Sequence, residues 1–219
     1  MIDKTDQIRK KPEFRHFPDL SFEEKLWADG YKHVAGIDEA GRGALAGPVV
    51  AAAVILPIDN GLCQKLYGVR DSKLMSSLAR QKWAIIIKEI AMDFGVGFAS
   101  NHEIDEIGIL PATHLAVRRA LKCFSLSPDH LLTDYLFLKT VPIPQTPLVK
   151  GDMRCLSIAA ASILAKTSRD DLMCELDAEY PGYGFMKHKG YGTQYHRSAL
   201  RENGPSSIHR LSFRFKTEE

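Results

Sequence analysis

The chain has 219 residues, a formal net charge of +2, 45% hydrophobic residues and 26% charged residues. This composition is typical of a globular protein with a substantial core, and so small a charge neither predicts nor excludes a nucleic-acid partner. No apolar run approaches the roughly 20 residues that a membrane helix needs, and no apolar segment follows the charged N-terminus, so we expect a cytoplasmic protein without membrane contact. The cysteines lack zinc-site spacing and are expected to be reduced thiols: Cys63, Cys123, Cys155 and Cys174.

The predicted elements begin after a charged, proline-containing arm at residues 1–20. Ser21 and Glu24 have the spacing of a capping box, and Gly30 is a typical helix stop, so a first helix is expected between them. Apolar or alternating stretches predict strands at 33–38, 48–57, 94–99 and 130–134. Helical spacing and cap residues predict helices at 22–29, 77–91, from Asn101, from Pro111 to about 124, 156–179 and 193–203.

The order of these elements indicates the fold class. The glycine-rich turn at 41–43 is short enough to join the first two strands as an antiparallel hairpin. Residues 141–147 contain three prolines and are expected to form a loop. One face of the helix at 77–91 is expected to be buried through Leu78, Trp83, Ile86, Ile87 and Ile90. Strands come first and helices later around a mixed sheet, which predicts an α/β or α+β protein.

Four acidic residues stand at positions where strands and a helix can bring them together. Asp38 and Glu39 end the first strand, Asp134 ends the strand at 130–134, and Asp170 lies on the long helix. If the two strands are parallel neighbours, Asp38 and Asp134 lie side by side, and a bend at the strand end brings in Glu39. Crowded carboxylates require protonation or bound cations, and oxygen ligands without Cys or His suit Mg²⁺ or Mn²⁺.

A structural interpretation of the same acids remains open at this point. An acid at the end of a strand is commonly a solvated turn or cap residue. Ser162, Lys166 and Asp170 are four residues apart and share one helical stripe, so Asp170 is equally compatible with a simple ion pair to Lys166.

Several ordered motifs resemble the ribonuclease HII family, and together they cover about residues 21–213. The motifs are G-I-D-E-A-G-R-G at 36–43, G-P-V-V-A-A-A at 47–53, D-S-K-L at 71–74, K-G-D at 150–152, S-I-A-A-A-S-I-L-A-K at 157–166 with R-D at 169–170, Y-G-F at 183–185, H-K-G-Y-G-T at 188–193 and H-R-L-S-F at 209–213. Their shared order is more specific than any one motif.

The resemblance implies a ribonuclease H-like fold, with a mixed five-stranded sheet flanked by helices and a helical C-terminal part. It divides the chain into an N-terminal arm (1–20), a catalytic domain (21–180) and a C-terminal helical extension packed on it (181–219). It implies an endonuclease that hydrolyses the RNA strand of RNA–DNA hybrids and cuts 5′ of ribonucleotides embedded in duplex DNA. The expected products carry 5′-phosphate and 3′-hydroxyl ends, and the expected enzyme is a monomer.

The resemblance also implies a role for each matching residue. Asp38, Glu39, Asp134 and Asp170 would hold two divalent ions, Mn²⁺ or Mg²⁺, as the catalytic and metal-binding set. The backbone of Gly41, Arg42 and Gly43 would read a ribose 2′-hydroxyl, and Tyr191 would stack on the following deoxyribose. Ser72, Lys73 and Lys166 are further expected substrate-binding residues, although serines and lysines at such positions are also common as helix, turn or surface residues.

The chain departs from the family pattern at one position. The third acid usually precedes glycine in this family, whereas Asp134 precedes Tyr135, which is bulkier and more restricted in its backbone. The nearest alternative acid, Asp129, follows Pro128 in a predicted turn and fits less well.

Three other functions are compatible with part of the sequence. Residues 41–46 match the G-x-G-x-x-A pattern of dinucleotide-binding oxidoreductases, but Asp38 and Glu39 would repel a pyrophosphate and Pro48 would interrupt the following helix. A non-catalytic RNA–DNA hybrid binder would not require all four acids. Another two-metal nuclease, such as a junction resolvase, would not require the G-R-G turn or Tyr191.

Overall fold

The computed structural model describes residues 17–213 and is built around a five-stranded sheet. Its strands are β1 (Val34–Ala40), β2 (Val49–Ile55), β3 (Asp93–Ala99), β4 (His130–Asp134) and β5 (Gln145–Leu148). They lie in the order β3-β2-β1-β4-β5. The pairs β3–β2 and β2–β1 are antiparallel, whereas β1–β4 and β4–β5 are parallel. The α/β class, the mixed sheet and the β1–β2 hairpin are therefore confirmed.

Helices flank the sheet and form most of the C-terminal part. They are α1 (Ser21–Ala28), α2 (Leu62–Lys65), α3 (Ser77–Ile90), α4 (Asn101–Ile107), α5 (Ile109–Lys122), α6 (Leu156–Glu179), α7 (Phe185–His188) and α8 (Gln194–Asn203). Two 3₁₀ turns lie at Ser72–Leu74 and Gly151–Met153. Within residues 17–213, no helix is long and apolar enough to cross a membrane.

The core lies on both faces of the sheet because β2 is apolar on both sides. Ala52 and Val54 pack with residues of α3 and α6, whereas Ala51 and Ala53 pack with residues of α4 and α5. Successive strand side chains point to opposite faces, so a run of small apolar residues serves two helical layers at once. This arrangement explains why 48–57 has no alternating polar pattern.

The long helix α6 begins directly against β1. A Cβ atom at Gly36 would lie 2.2 Å from the carbonyl carbon of Ser157, so a side chain there would displace the helix. The Ser157 backbone N–H donates to the buried carboxylate of Glu23 over 2.8 Å, and burial raises the pKa of Glu23. Glu23 thus satisfies an N–H group at a helix start whose N-cap residue, Cys155, supplies no side-chain cap.

The loop expected at 141–147 is confirmed for residues 141–144 and is wrong for the remainder, because Gln145–Leu148 forms β5 at the sheet edge. Pro147 lies within this strand although proline has no N–H to donate. An edge strand pairs on one side alone, so the missing donor is tolerated there. The fifth strand was predicted by the resemblance and not by the residue pattern.

Several local details differ from the sequence expectations. Helix α1 has Leu20 as its N-cap and no side-chain cap, so the capping box expected at Ser21 is absent. Helix α4 is capped by Ser100 with Glu103, and not by Asn101, whose side chain donates to backbone carbonyls near the C-terminus. Leu78 is exposed and does not join the buried face of α3. All four cysteines are free, as expected.

The C-terminal part packs on the loop that joins β1 and β2. Isolated bridges link Ala44 with Tyr191 and Ala46 with His209, and Phe185 is fully buried beneath them. Leu20, at the end of the predicted arm, is buried as well. Residues 1–16 and 214–219 lie outside the described residues, and the division into arm, catalytic domain and extension stays a prediction.

Candidate active site

The parallel pairing of β1 and β4 brings Asp38 and Asp134 together. Ile37 is the register partner of Thr133, and an aspartate follows each of them. Carboxylate oxygens of Asp38, Asp134 and a third acid, Asp152, all lie within 4.8 Å of one another. The predicted adjacency of Asp38 and Asp134 is therefore confirmed.

Asp152 was not among the acids singled out from the sequence. It lies in the 3₁₀ turn that connects β5 to α6, and the N–H of the preceding Gly151 donates to Asp134 Oδ1 over 2.8 Å. Because β5 runs parallel to β4, the chain leaves β5 at the same edge of the sheet where β4 ends. Recognition of the fifth strand would have placed Asp152 beside Asp134.

Burial and mutual repulsion oppose ionisation of this group. Burial raises the pKa of Asp38 well above its usual value, and the charges of Glu39 and Asp134 raise it further. Burial, followed by repulsion from Asp71 and Asp134, raises the pKa of Asp152 to about 6. A divalent cation would offset this repulsion, and an all-carboxylate oxygen donor set fits Mg²⁺ or Mn²⁺.

Glu39 lies next to the group but outside its set of convergent ligand atoms. Strand β1 continues through Ala40 without the bend that we expected at Asp38. The side chains of Asp38 and Glu39 therefore point to opposite faces of the sheet. The Glu39 carboxylate forms a 3.0 Å ion pair with Arg42 Nη1. Burial raises the pKa of Glu39, Arg42 lowers it, and repulsion from Asp134 raises it.

Asp170 is held by two cationic side chains on the inner face of α6. Its carboxylate accepts from Lys166 Nζ over 2.7 Å and from Arg80 Nη2 over 2.9 Å. The predicted stripe on α6 is confirmed, since Ser162, one turn before Lys166, contacts Ser72 through the two hydroxyls at 2.8 Å. Asp170 is absent from the group with convergent ligand atoms, and its metal-binding role stays a prediction.

Two buried arginines fix the loop between β1 and β2. Arg169 donates to the carbonyls of Ala46, Pro48 and Lys189. Arg210 donates to the carbonyls of Arg42, Gly47 and Pro48. Among the described residues, neither arginine forms a salt bridge, and burial lowers the pKa of both, that of Arg210 to about 9.

These arginines were not singled out as functional residues in the sequence. The motifs R-D and H-R-L contain them, but nothing in one sequence distinguishes a buried arginine from a surface one. Their common target, six hydrogen bonds to main-chain carbonyls, is a property of the tertiary structure.

The predicted substrate-binding residues surround the same loop. Gly41 has a φ of 91°, and a Cβ atom there would lie 2.0 Å from Arg169 Nε, so glycine is required. Gly43 faces open space. The ring of Tyr191 lies 5.3 Å from Lys166 Nζ and 5.3 Å from Arg169 Cζ. The structure therefore brings Tyr191 and Lys166 together beside the loop of the G-R-G motif.

Ser72 and Lys73 approach the site from the 3₁₀ turn before α3. Ser72 is buried against Ser162, whereas the Lys73 side chain is exposed. Lys73 Nζ lies 3.6 Å from Asp152 Oδ2, so Lys73 borders the carboxylate group. The binding roles of Ser72 and Lys73 stay predictions.

Tyr135 continues the β4–β5 pairing after Asp134, although the family usually has glycine at this position. The φ angle of Tyr135 is 53°, in the left-handed region, and 78% of the residue is exposed. Its N–H donates to Leu148 O over 2.9 Å, which continues the β4–β5 pairing past Asp134. The left-handed backbone that glycine adopts easily is thus occupied by a tyrosine at some conformational cost.

The dinucleotide-binding alternative does not fit the structure of residues 41–48. The strand β2 follows this turn, whereas dinucleotide binding by a G-x-G-x-x-A motif requires a helix whose N-terminus meets the pyrophosphate.

Comparisons with known proteins agree with this geometry. A family model described as Ribonuclease HII matches residues 35–216. Ribonuclease HII of Clostridioides difficile (strain 630) is 47% identical over 210 residues, which cover 96% of this chain and 80% of that protein. Ribonuclease HII of Desulfitobacterium hafniense (strain DSM 10664 / DCB-2) is 53% identical over 194 residues, covering 89% and 73%. The crystal structure of ribonuclease H2 from Pyrococcus horikoshii OT3 superposes with a TM-score of 0.68 at 26% identity, covering 83% of this chain and 94% of that one.

Proposed function

The chain belongs to the ribonuclease HII family and is therefore an endoribonuclease of the ribonuclease H type, and we propose that it cuts 5′ of ribonucleotides in duplex DNA. We further propose that it hydrolyses the RNA strand of RNA–DNA hybrids and leaves 5′-phosphate and 3′-hydroxyl ends. The observation that carries this proposal is the convergence of Asp38 and Asp134 at adjacent strand ends, below the loop held by Arg169 and Arg210.

The carboxylates have the chemistry to hold divalent cations. Asp38 and Asp134 supply convergent oxygens, Glu39 follows Asp38 on β1, and Asp170 lies on α6. Bound Mg²⁺ or Mn²⁺ would supply Lewis acidity at the scissile phosphodiester and would offset the negative charge that develops during hydrolysis. Asp38 and Asp134 would hold such a cation at the adjacent strand ends, and a carboxylate that is ionised beside it would accept a proton from the attacking water.

The loop of the G-R-G motif is suited to read a ribose. Arg210 binds the Arg42 carbonyl and Arg169 excludes any side chain at Gly41, so the backbone of residues 41–43 is held in one conformation. A fixed backbone discriminates a 2′-hydroxyl better than a flexible one because no ordering cost accompanies the contact. The 2′-hydroxyl is the group that distinguishes RNA from DNA, which supports reading at an RNA–DNA junction.

The residues around the loop are suited to hold the strands. Tyr191 presents an aromatic ring beside Lys166, so a stacking surface for a deoxyribose and an ammonium for a phosphate lie close together. Lys73 offers an exposed ammonium at the edge of the carboxylate group, and Ser72 holds the turn that carries it. We propose that the enzyme acts as a monomer on these duplexes.

The remaining alternatives are separated by one cleavage assay. The substrate is a DNA duplex that carries a single ribonucleotide, with an all-DNA duplex as the control, incubated with EDTA, Mg²⁺ or Mn²⁺. We expect one cut at the 5′ side of the ribonucleotide in the presence of either cation and no cut of the all-DNA duplex. Binding without cleavage would indicate a hybrid-binding protein, and equal cutting of both duplexes would indicate another nuclease.

The same assay tests the two central acids. Asp38→Asn or Asp134→Asn should lower the rate about a thousandfold or more, because several kcal/mol of charge stabilisation are lost at the reacting phosphate. An exposed acid at the end of α1 provides the control, and Asp29→Asn should cut at the wild-type rate. Wild-type activity in Asp134→Asn would refute the assignment.

A further inference from the structure

Three histidines, His188, His196 and His209, are buried in the C-terminal part, next to the loop between β1 and β2. The rings of His188 and His196 are stacked with their centroids 4.3 Å apart, and His196 Nε2 lies 3.0 Å from His209 Nε2. Among the described residues, no group of convergent metal-ligand atoms includes a histidine. A metal site therefore does not account for these rings.

The hydrogen bonds of His196 and His209 have one possible direction. The Ser206 backbone N–H can only donate, and it lies 2.8 Å from His209 Nδ1, so that nitrogen carries no proton. A neutral His209 therefore donates from Nε2 to His196 Nε2. His196 then carries its proton on Nδ1 and donates it to the Tyr191 carbonyl over 3.0 Å. Because a carbonyl can only accept, both ends of this chain of hydrogen bonds require the same tautomers.

The surroundings keep both rings in the neutral form that this chain requires. Burial lowers the pKa of His196 and of His209 to about 4, and His196 is fully buried. Both imidazoles are therefore neutral near pH 7. A second proton on His209 would place an N–H against the N–H of Ser206 and break the chain at its start.

The chain of hydrogen bonds joins the two parts of the protein that we propose for junction recognition. At one end, His209 directly precedes Arg210, whose guanidinium donates to the Arg42 carbonyl in the loop of the G-R-G motif. At the other end, His196 binds the main chain of Tyr191, whose ring is proposed to stack on a deoxyribose. The placement of the ring relative to the loop thus depends on the two histidines between them.

We propose that His196 and His209 are positioning residues that set the Tyr191 ring relative to the loop of the G-R-G motif and thereby determine the preference for an RNA–DNA junction. This inference rests on the proposed function. Neither imidazole contacts the substrate in this role, because each acts through the main chain. A junction presents a ribose and the next deoxyribose at a set spacing, and a site that already has this spacing binds it without an ordering cost.

The tautomers provide the first test, which requires neither a cation nor nucleic acid. Long-range ¹H–¹⁵N NMR spectra of the ¹⁵N-labelled full chain near pH 7 distinguish protonated from unprotonated ring nitrogens. We expect the proton on Nδ1 of His196 and on Nε2 of His209. A proton on Nε2 of His196 instead would leave the Tyr191 carbonyl without this donor and would overturn the inference.

Cleavage of two substrates tests the consequence for recognition. The measured ratio is kcat/KM for a DNA duplex with a single ribonucleotide divided by kcat/KM for a uniform RNA–DNA hybrid. His196→Leu removes the donor to Tyr191 but keeps a side chain of similar size, so the ratio should fall several-fold. His196→Asn places an amide nitrogen near the position of Nδ1, so its ratio should stay within about twofold of the wild-type value.

A histidine in another part of the fold provides the matched control. His130 is also buried, but it lies at the start of β4 and its ring bonds to Thr146. His130→Leu should lower the free energy of unfolding and leave the ratio unchanged. Thermal unfolding checks that each variant is folded. His196→Gln, whose amide lies near the position of Nε2, replaces His196→Leu if the latter does not fold.

A double-mutant cycle separates positioning from general destabilisation. Since His196 acts through Tyr191, His196→Leu should change the ratio by less than about twofold in a protein that already carries Tyr191→Ala. Equal losses in both backgrounds, or equal losses in His196→Leu and His196→Asn, would overturn the positioning role and leave the proposed function intact. A wild-type chain that does not cut the duplex with a single ribonucleotide would overturn the proposed function, and the positioning role with it.

Discussion

Asp38 and Asp134 are neighbours across a parallel strand pair, each directly following one of the register partners Ile37 and Thr133. Sheet hydrogen bonding thus imposes the approach of two carboxylates that repel each other. The turn that carries Asp152 adds a third acid to the same place. Without a cation, the fold tolerates this crowding at a cost in stability.

That cost predicts a specific pH dependence. The pKa of Asp152 is raised to about 6 from an ordinary 3.8, by burial and then by repulsion from Asp71 and Asp134. The folded protein therefore binds this proton more tightly than the unfolded chain, and ionisation removes stability as pH rises from about 4 through about 6. In EDTA, Asp152→Asn should match the wild type near pH 4 and exceed its free energy of unfolding by about 2 kcal/mol near pH 7.

The measurement is urea unfolding of both proteins across this pH range. Comparing the two proteins is necessary because burial lowers the pKa of His196 and of His209 to about 4, and these groups change the stability in the opposite direction. They contribute equally to both proteins and cancel in the difference. A difference that is constant with pH would contradict the account.

The loop between β1 and β2 should depend on the guanidinium group of Arg210, and a lysine ammonium of the same charge should not replace it. It donates to three main-chain carbonyls, whereas a lysine at the same position has one nitrogen and a different geometry. Arg210→Lys should lower the free energy of unfolding by about 3 kcal/mol, since buried carbonyls lose donors. It should also lower the rate of cleavage at a single ribonucleotide in duplex DNA.

Denaturant unfolding and the rate of cleavage at a single ribonucleotide measure the two effects separately. Arg201→Lys is a suitable control because Arg201 is exposed on α8. An Arg210→Lys protein with wild-type stability and an unchanged cleavage rate would show that the loop does not depend on this side chain.

Substitutions at position 135 should not follow the usual order of stability, in which a protein with alanine is more stable than one with glycine. In ordinary positions glycine is less stable than alanine by roughly 0.5–1 kcal/mol because the unfolded chain is more flexible. At a φ of 53°, alanine pays a steric cost of about 1 kcal/mol that glycine avoids. Tyr135→Gly should therefore be at least as stable as Tyr135→Ala, and a clearly less stable Tyr135→Gly would rule out strain at this position.

Tyr191 should act through its ring. Its distance from Lys166 and its pairing with Ala44 place it beside the loop of the G-R-G motif. Tyr191→Phe should keep the preference for a single ribonucleotide in DNA over a uniform RNA–DNA hybrid, whereas Tyr191→Ala should reduce that preference several-fold. Identical cleavage ratios in all three proteins would refute a role in junction recognition.

Local patterns in the sequence predicted the strands that carry the acids, and the helix that carries Asp170. β1, β2, β4 and α6 have unambiguous apolar patterns bounded by glycine, proline or acids. The sequence predicted that Asp38 and Asp134 lie side by side only if their two strands are parallel neighbours, and it could not show that they are. Edge strand β5 was missed because its proline is typical of a loop.

The missing parts of the site share one physical cause. Asp152 and the two arginines acquire their roles from contacts between segments far apart in the chain, such as Arg210 with Arg42. Local periodicity reports which face of an element is buried, and it does not report which distant main-chain carbonyl a buried guanidinium meets.

The most direct test of the central claim is a crystal of this protein soaked in MnCl₂ and measured at a wavelength where manganese scatters anomalously. The account predicts an anomalous difference peak within coordination distance of both Asp38 and Asp134. A map without a peak between these strand ends, from a soak in which the crystallised enzyme still cuts its substrate, would contradict it.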